Sequence, residues 1–130
     1  RMGTSEIYRV VEEFPEVTDS LVVDLEYLGR ESFLPLFVVL REGGTTVPPD
    51  LRRRLFEAIR VKISPRHVPD EVFAIPEVPR TLSGKKMELP VKKILLGQPP
   101  ERSANRDAMG NPASLDWFVA FARERDAQRR

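Results

Sequence analysis

Proline limits what this chain can fold into. Twelve of its 130 residues are proline. Each lacks a backbone N–H and holds φ at about −65°, so regular elements have to fit between them. Before Pro15, the residues Ile7, Val10, Val11 and Phe14 recur at i, i+3, i+4 and i+7. That is one apolar helix face, entered at Thr4 as N-cap with Glu6 at the positive end of the dipole. After Pro15, residues 16–23 end in Leu21-Val22-Val23 and read as a strand, with Leu25 to Leu28 as a candidate continuation. Residues 29–32 turn the chain into the strongest strand signal, Phe33 to Leu40, where Pro35 predicts an edge or a bulge at that end.

Pro48-Pro49-Asp50 opens a second helix with Leu51, Leu55, Ala58 and Ile59 inward and Arg52, Arg53, Arg54 and Arg60 on the solvated side. Pro65 and Pro69 bracket a turn that holds His67, read as a turn residue, and residues 71–75 form a third strand. Pro90 at N1 starts a short helix through Leu96, with Gly97 as its C′ residue. Residues 98–112 are polar and aperiodic and read as a linker. Asn111-Pro112-Ala113-Ser114 then caps a last helix, whose Leu115, Phe118, Val119 and Ala122 share a face. The order defines an α+β fold, a small mixed sheet with helices on one face, plus a C-terminal helical extension. The expected boundaries are 1–97 for the domain and 98–130 for linker and extension. Trp117 adds apolar surface beyond what one small sheet needs, so this helix is expected to dock on another domain or subunit.

Composition removes several functions. Lys and Arg number 21 against 20 Asp and Glu, so no long-range field draws in nucleic acid or an anionic membrane. There is no cysteine and one histidine, which excludes disulfides, thiolate metal sites and the usual histidine zinc sites. No metal site is expected within the chain. No apolar run approaches the ~18 residues of a membrane span.

The stretch from Pro79 to Lys93 is where chemistry is expected. It reads as a proline-bounded loop rather than a helix or strand, with Ser83-Gly84 as a corner presenting Lys85. Glycine permits positive φ or close approach to a ligand. A lysine at such a tip is a mobile cation with three donors, suited to phosphate or carboxylate oxygens. A plain solvated turn is the competing reading. A phosphate-binding P-loop is excluded, because Pro79 stands where that motif needs its first glycine.

Three elements in fixed order carry a resemblance. They are Arg1-Met2-Gly3-Thr4-Ser5-Glu6-Ile7, a Ser64-Pro65 turn after an arginine-bearing helix, and Pro79-Arg80-Thr81-Leu82-Ser83-Gly84-Lys85. Together they resemble the small C-terminal domain of the adenylate-forming acyl-CoA synthetases, over about residues 1–97. Beyond that, residues 105–112 and Ser114-Leu115-Asp116-Trp117-Phe118 are similar to the tail of the acetoacetyl-CoA synthetase branch (acetoacetate–CoA ligases), as is Arg66-His67-Val68-Pro69-Asp70-Glu71.

The resemblance implies a two-step ligase using ATP and CoA, with magnesium bound mainly by a large N-terminal domain that this chain lacks. It implies that the chain is a piece of a longer cytoplasmic enzyme, inactive without that domain and rotating against it on a hinge upstream of Arg1. Lys85 matches the family's adenylation lysine. Arg1 and, more loosely, Arg60 match arginines near the nucleotide or CoA phosphates; Gly3, Ser83 and Gly84 complete the implied ATP- and CoA-binding set. Lys85 is also implied as a target of a protein lysine acetyltransferase. The family's arginine-rich segment after the lysine loop is replaced here by Lys86-Met87-Glu88-Leu89-Pro90, with extra negative charge. Another short-chain acyl-CoA ligase domain remains an alternative. So does a free-standing module gripping nucleic acid through Lys85, Lys86, Lys92 and Lys93, though no aromatic residues interleave those lysines.

Overall fold

The computed structural model describes residues 3–25 and 33–128, with the side chains of 126–128 left aside. Arg1, the continuation toward Leu28 and the 29–32 turn lie outside the described residues. The chain runs α1 (Thr4–Val11), β1 (Val17–Val22), β2 (Pro35–Leu40), α2 (Pro49–Lys62), β3 (Glu71–Ala74), α3 (Glu88–Leu95), α4 (Pro100–Ser103) and α5 (Leu115–Gln128), with short 3₁₀ turns at Pro65–His67, Arg106–Ala108 and Pro112–Ser114. The sheet is mixed, in the order β1-β2-β3. β1 pairs with β2 antiparallel, and β2 with β3 parallel. The expected small mixed sheet with helices is the fold observed.

Side-chain alternation along β2 divides the interior. Leu36 and Val38 join Ile7, Val10 and Val11 of α1 and Leu51, Leu55 and Ile59 of α2 on one face. Phe37 points the other way, into a cluster with Val91, Ile94 and Leu95 of α3 and Leu115 and Phe118 of α5. Helices therefore cover both faces of the sheet, not the one face expected. The second layer was hidden because its members lie more than fifty residues along the chain from β2.

The C-terminal extension is the main correction. Residues 98–112 are not a free linker: Ser103 and Met109 are buried, and Met109 belongs to the α3–α5 cluster. Trp117 docks on the chain's own sheet, its ring 5.7 Å from that of Phe37, 5.1 Å from Phe118 and 5.0 Å from Phe121. These spacings lie in the range of favourable aromatic pairs.

Several boundaries also shift. Thr4 is the first helical residue, with Gly3 as N-cap and no side-chain cap, and α1 ends before the half-buried Phe14. Pro35 is the first residue of the central strand rather than an edge residue, a position where no ladder donor is required. The bulge lies at the far end of the pairing, between Val17 and Asp19. Helix α3 starts at Glu88, so Pro90 sits third in it; the first-turn amides have no intrahelical acceptor in any case. Gly97 closes α3 as expected, at φ 102°. Its N–H donates to Ile94 O and that of Gln98 to Lys93 O, which is a Schellman closure.

Candidate functional site: the Lys85 hairpin

The stretch expected to be a loop is a narrow hairpin. Arg80 and Lys86 form an antiparallel bridge. The Thr81 N–H donates to Lys85 O at 2.9 Å, and the Met87 N–H to Pro79 O at 3.0 Å. Leu82, Ser83 and Gly84 make the loop, with Gly84 at φ 89°. Such three-residue hairpin loops place their last residue in the left-handed region, where glycine carries no Cβ penalty. Thr81 tightens the corner, its Oγ1 accepting from the Lys85 N–H at 3.1 Å.

The pairing decides where each lysine points. Residues directly opposite in an antiparallel pair share a face, and chain neighbours point to opposite faces. Arg80 and Lys86 therefore share the inner face, and Lys85 takes the outer one. The contacts agree. The Arg80 guanidinium donates to both Asp19 carboxylate oxygens, at 2.8 and 2.7 Å, and to Gly84 O at 2.6 Å. Lys86 Nζ donates to Glu12 Oε2 at 2.5 Å, lies 3.6 Å from Asp19 Oδ1 and sits 3.5 Å above the centre of the Tyr8 ring. Lys85 is exposed, and among the described residues its ammonium has no hydrogen bond or ion pair.

Two cations facing each other across a hairpin repel, and Asp19 and Glu12 offset that repulsion. Asp19 reaches them because of the β1 bulge. Val17 packs with Leu36 and Val38 on the α1–α2 side, whereas Leu21 packs on the α3–α5 side. In a regular strand Val17, Asp19 and Leu21 would share one face. The extra residue lets Val17 turn inward on one side while Asp19 faces the hairpin on the other, the re-aiming that bulges produce. Glu12, just past the end of α1, also accepts from the buried Ser20 hydroxyl at 2.6 Å. Tyr8 and Glu88 tie α1 to the start of α3 by a short phenol–carboxylate hydrogen bond. Burial, and secondarily this bond to Glu88, push the Tyr8 phenol well above its usual range, so it stays a neutral donor.

The expected site residues are only partly gathered. Ser83, Gly84 and Lys85 form the exposed tip. Gly3 is exposed at the start of α1, about 13 Å of helix rise from the Glu12 anchor. A cleft of about 170 Å³ opens nearby, lined by Thr4, Asp24, Glu88, Leu89 and Lys92. Arg60 is exposed on α2 and bonds Glu57 within its own helix, at 3.1 and 2.6 Å; no contact joins it to the hairpin. Arg1 is outside the described residues. His67 sits in its 3₁₀ turn, with Nδ1 2.6 Å from Ser64 Oγ. Lys86 is turned inward, so the four-lysine strip of the nucleic-acid reading is not one surface. The sequence reading missed Asp19, Glu12 and Tyr8; no local signal links them to a hairpin more than sixty residues on.

The small α+β domain thus presents an exposed lysine at the tip of a braced Ser-Gly-Lys hairpin. Residues 6–85 match the family described as AMP-binding enzyme C-terminal domain, and the chain belongs to that family. Within it, the chain is similar over nearly its whole length to acetoacetyl-CoA synthetases. It is 42% identical over 118 residues to acetoacetyl-CoA synthetase of Macaca fascicularis, covering 91% of this chain and 17% of that protein. The solved acetoacetyl-CoA synthetase from Streptomyces lividans superposes with a TM-score of 0.87 at 43% identity, covering 96% of this chain and 18% of that one. An acyl-CoA synthetase from Brucella canis reaches a TM-score of 0.57 at 26% identity and covers only 66% of this chain. The chain thus spans under a fifth of the length of these relatives.

Proposed function

We propose that this chain is the C-terminal domain of an ATP-dependent acetoacetate–CoA ligase, and that Lys85 serves its first half-reaction. In that step a carboxylate oxygen of acetoacetate attacks the α-phosphorus of ATP and diphosphate leaves. In the second, the CoA sulfur attacks the acyl carbonyl and AMP leaves. The reacting groups of the first step are both anions. A cation delivered between them offsets their repulsion and the charge developing at phosphorus.

The observation that carries this reading is the contrast between the two adjacent lysines. Lys86 is consumed by Glu12, Asp19 and Tyr8, while Lys85 is held out on a braced tip with its charge unspent. A plain solvated turn needs no such bracing. The rest of the active site, including the acyl pocket and the groups holding magnesium, is assigned to a large N-terminal domain of a cytoplasmic enzyme. Among the described residues no three His, Cys, Asp or Glu side chains gather as a metal site. Gly3, Ser83, Gly84, Arg60 and Arg1 remain proposed contacts to ATP or CoA. Exposure of the Lys85 ammonium also suits it to acetylation, which removes its charge.

The substrate assignment rests on similarity to acetoacetyl-CoA synthetases across residues beyond 97. It is tested in the full-length protein by ATP–diphosphate exchange with acetoacetate, acetate, propionate and butyrate. Acetoacetate is expected to give the highest kcat/KM. A higher value with acetate overturns the acetoacetate assignment but not the ligase class.

A further inference from the structure

A short segment of the C-terminal extension pairs alongside the hairpin. Thr81 bridges antiparallel to Met109. The Leu82 N–H donates to Ala108 O at 3.0 Å, and the Gly110 N–H to Arg80 O at 3.0 Å. Next in line, Asn111 replaces backbone with side chain. Its Oδ1 accepts from the Arg80 N–H at 3.0 Å, and its Nδ2 donates to Val78 O and to Glu77 Oε1, both at 2.9 Å. One carboxamide thus satisfies the main chain on both sides of Pro79, the residue that cannot donate to a ladder itself. Gly110 permits this approach: a Cβ there would stand 3.3 Å from Thr81 O, tighter than ordinary contact. Met109 anchors the segment in the core.

We infer that Asn111, with the Ala108–Gly110 backbone, is a positioning element for Lys85, and that the extension is thereby part of the adenylation machinery rather than an appendage. The hairpin's inner face is fixed by Arg80 and Lys86, but those bonds do not set its tilt across the sheet edge. Main-chain pairing with residues 108–110 does. Asn111 touches no reacting group; it acts through the placement of Lys85. The inference rests on the proposed role of Lys85, so the test must separate the two.

The experiment uses the full-length enzyme as wild type, Asn111→Ala, Gly110→Val and Lys85→Ala. Two rates are read: acetoacetate-dependent ATP–diphosphate exchange, and thioester formation from preformed acetoacetyl-AMP and CoA. Misplacing a reacting group by about 1 Å costs up to about 10²-fold. Asn111→Ala and Gly110→Val are each expected to lower the kcat of exchange by about 10- to 100-fold, with KM for ATP within about threefold and the second rate within about twofold of wild type. Normal exchange in both variants alongside a defective Lys85→Ala overturns the positioning role and leaves the lysine assignment standing. Normal exchange in Lys85→Ala overturns the lysine assignment and this inference with it. Equal loss of both rates in Asn111→Ala and Gly110→Val means general loosening of the domain, which also overturns it.

Discussion

Replacing Phe118 by alanine tests whether the extension shares the domain's core. Phe118 is 0% exposed, with its ring 5.0 Å from that of Phe37 on the central strand and 5.1 Å from that of Trp117. Truncating a buried phenylalanine to alanine removes its transfer free energy and leaves a cavity that closes only partly, about 3–5 kcal/mol in comparable cores. The two aromatic pairs lost put Phe118 toward the upper end. Set against a total of roughly 5–15 kcal/mol for a domain, that is a large fraction. At roughly 3–5 °C per kcal/mol for a chain of this size, a loss of about 4–5 kcal/mol should lower the melting temperature by about 12–25 °C. The assay is urea unfolding of the 130-residue chain, followed both by far-UV circular dichroism and by fluorescence of Trp117, the sole tryptophan. The two transitions should coincide in wild type, since one probe reports the whole fold and the other the extension. A loss below about 1 kcal/mol, or a Trp117 transition that precedes the dichroism, refutes a common core.

Breaking the brace should have a smaller, separable effect. A double-mutant cycle of Arg80→Ala and Asp19→Ala should give a coupling of about 1 kcal/mol by urea unfolding, since both side chains are partly exposed; additive losses would show that the pair does not brace the hairpin. Gly84→Ala meets no atom within 4 Å but keeps a left-handed residue, so about 1 kcal/mol of strain is expected, read as a lower urea midpoint; an unchanged midpoint would mean the turn relaxes freely. Acid should weaken the fold. Arg54 holds the Glu16 carboxyl below its ordinary range, Arg53 and Arg54 hold Asp50 down, and Arg52 holds Glu71 down. Groups whose folded pKa is depressed contribute stability above the ordinary carboxylate range and lose it as pH falls through the folded values. The urea midpoint should therefore drop between pH 6 and pH 3; a flat profile would mean these pairs add nothing.

Local patterns carried much of the fold. The apolar period of Ile7, Val10 and Val11, the β-rich run ending at Leu40 and the Gly97 closure each needed only near neighbours, and all appear in place. What failed depended on contacts distant in sequence. Residues 98–112 are polar because most of their side chains face water, so their composition resembled a linker. Their main chain nonetheless pairs with residues 80–82, a contact that periodicity cannot register. Trp117 looked surplus because the face of β2 that it covers was invisible from α5 alone. The site followed the same division. The tip residues Ser83, Gly84 and Lys85 were legible as a motif, whereas Asp19 faces Arg80 only because of a bulge more than sixty residues earlier.

The most direct measurement of the central claim is the pair of half-reactions in full-length Lys85→Ala. Acetoacetate-dependent ATP–diphosphate exchange should fall by about 10²–10³, as for removal of one well-placed charge donor, while thioester formation from preformed acetoacetyl-AMP stays near wild type. Exchange that survives the substitution would make the hairpin an ordinary turn, its braced geometry a matter of stability alone.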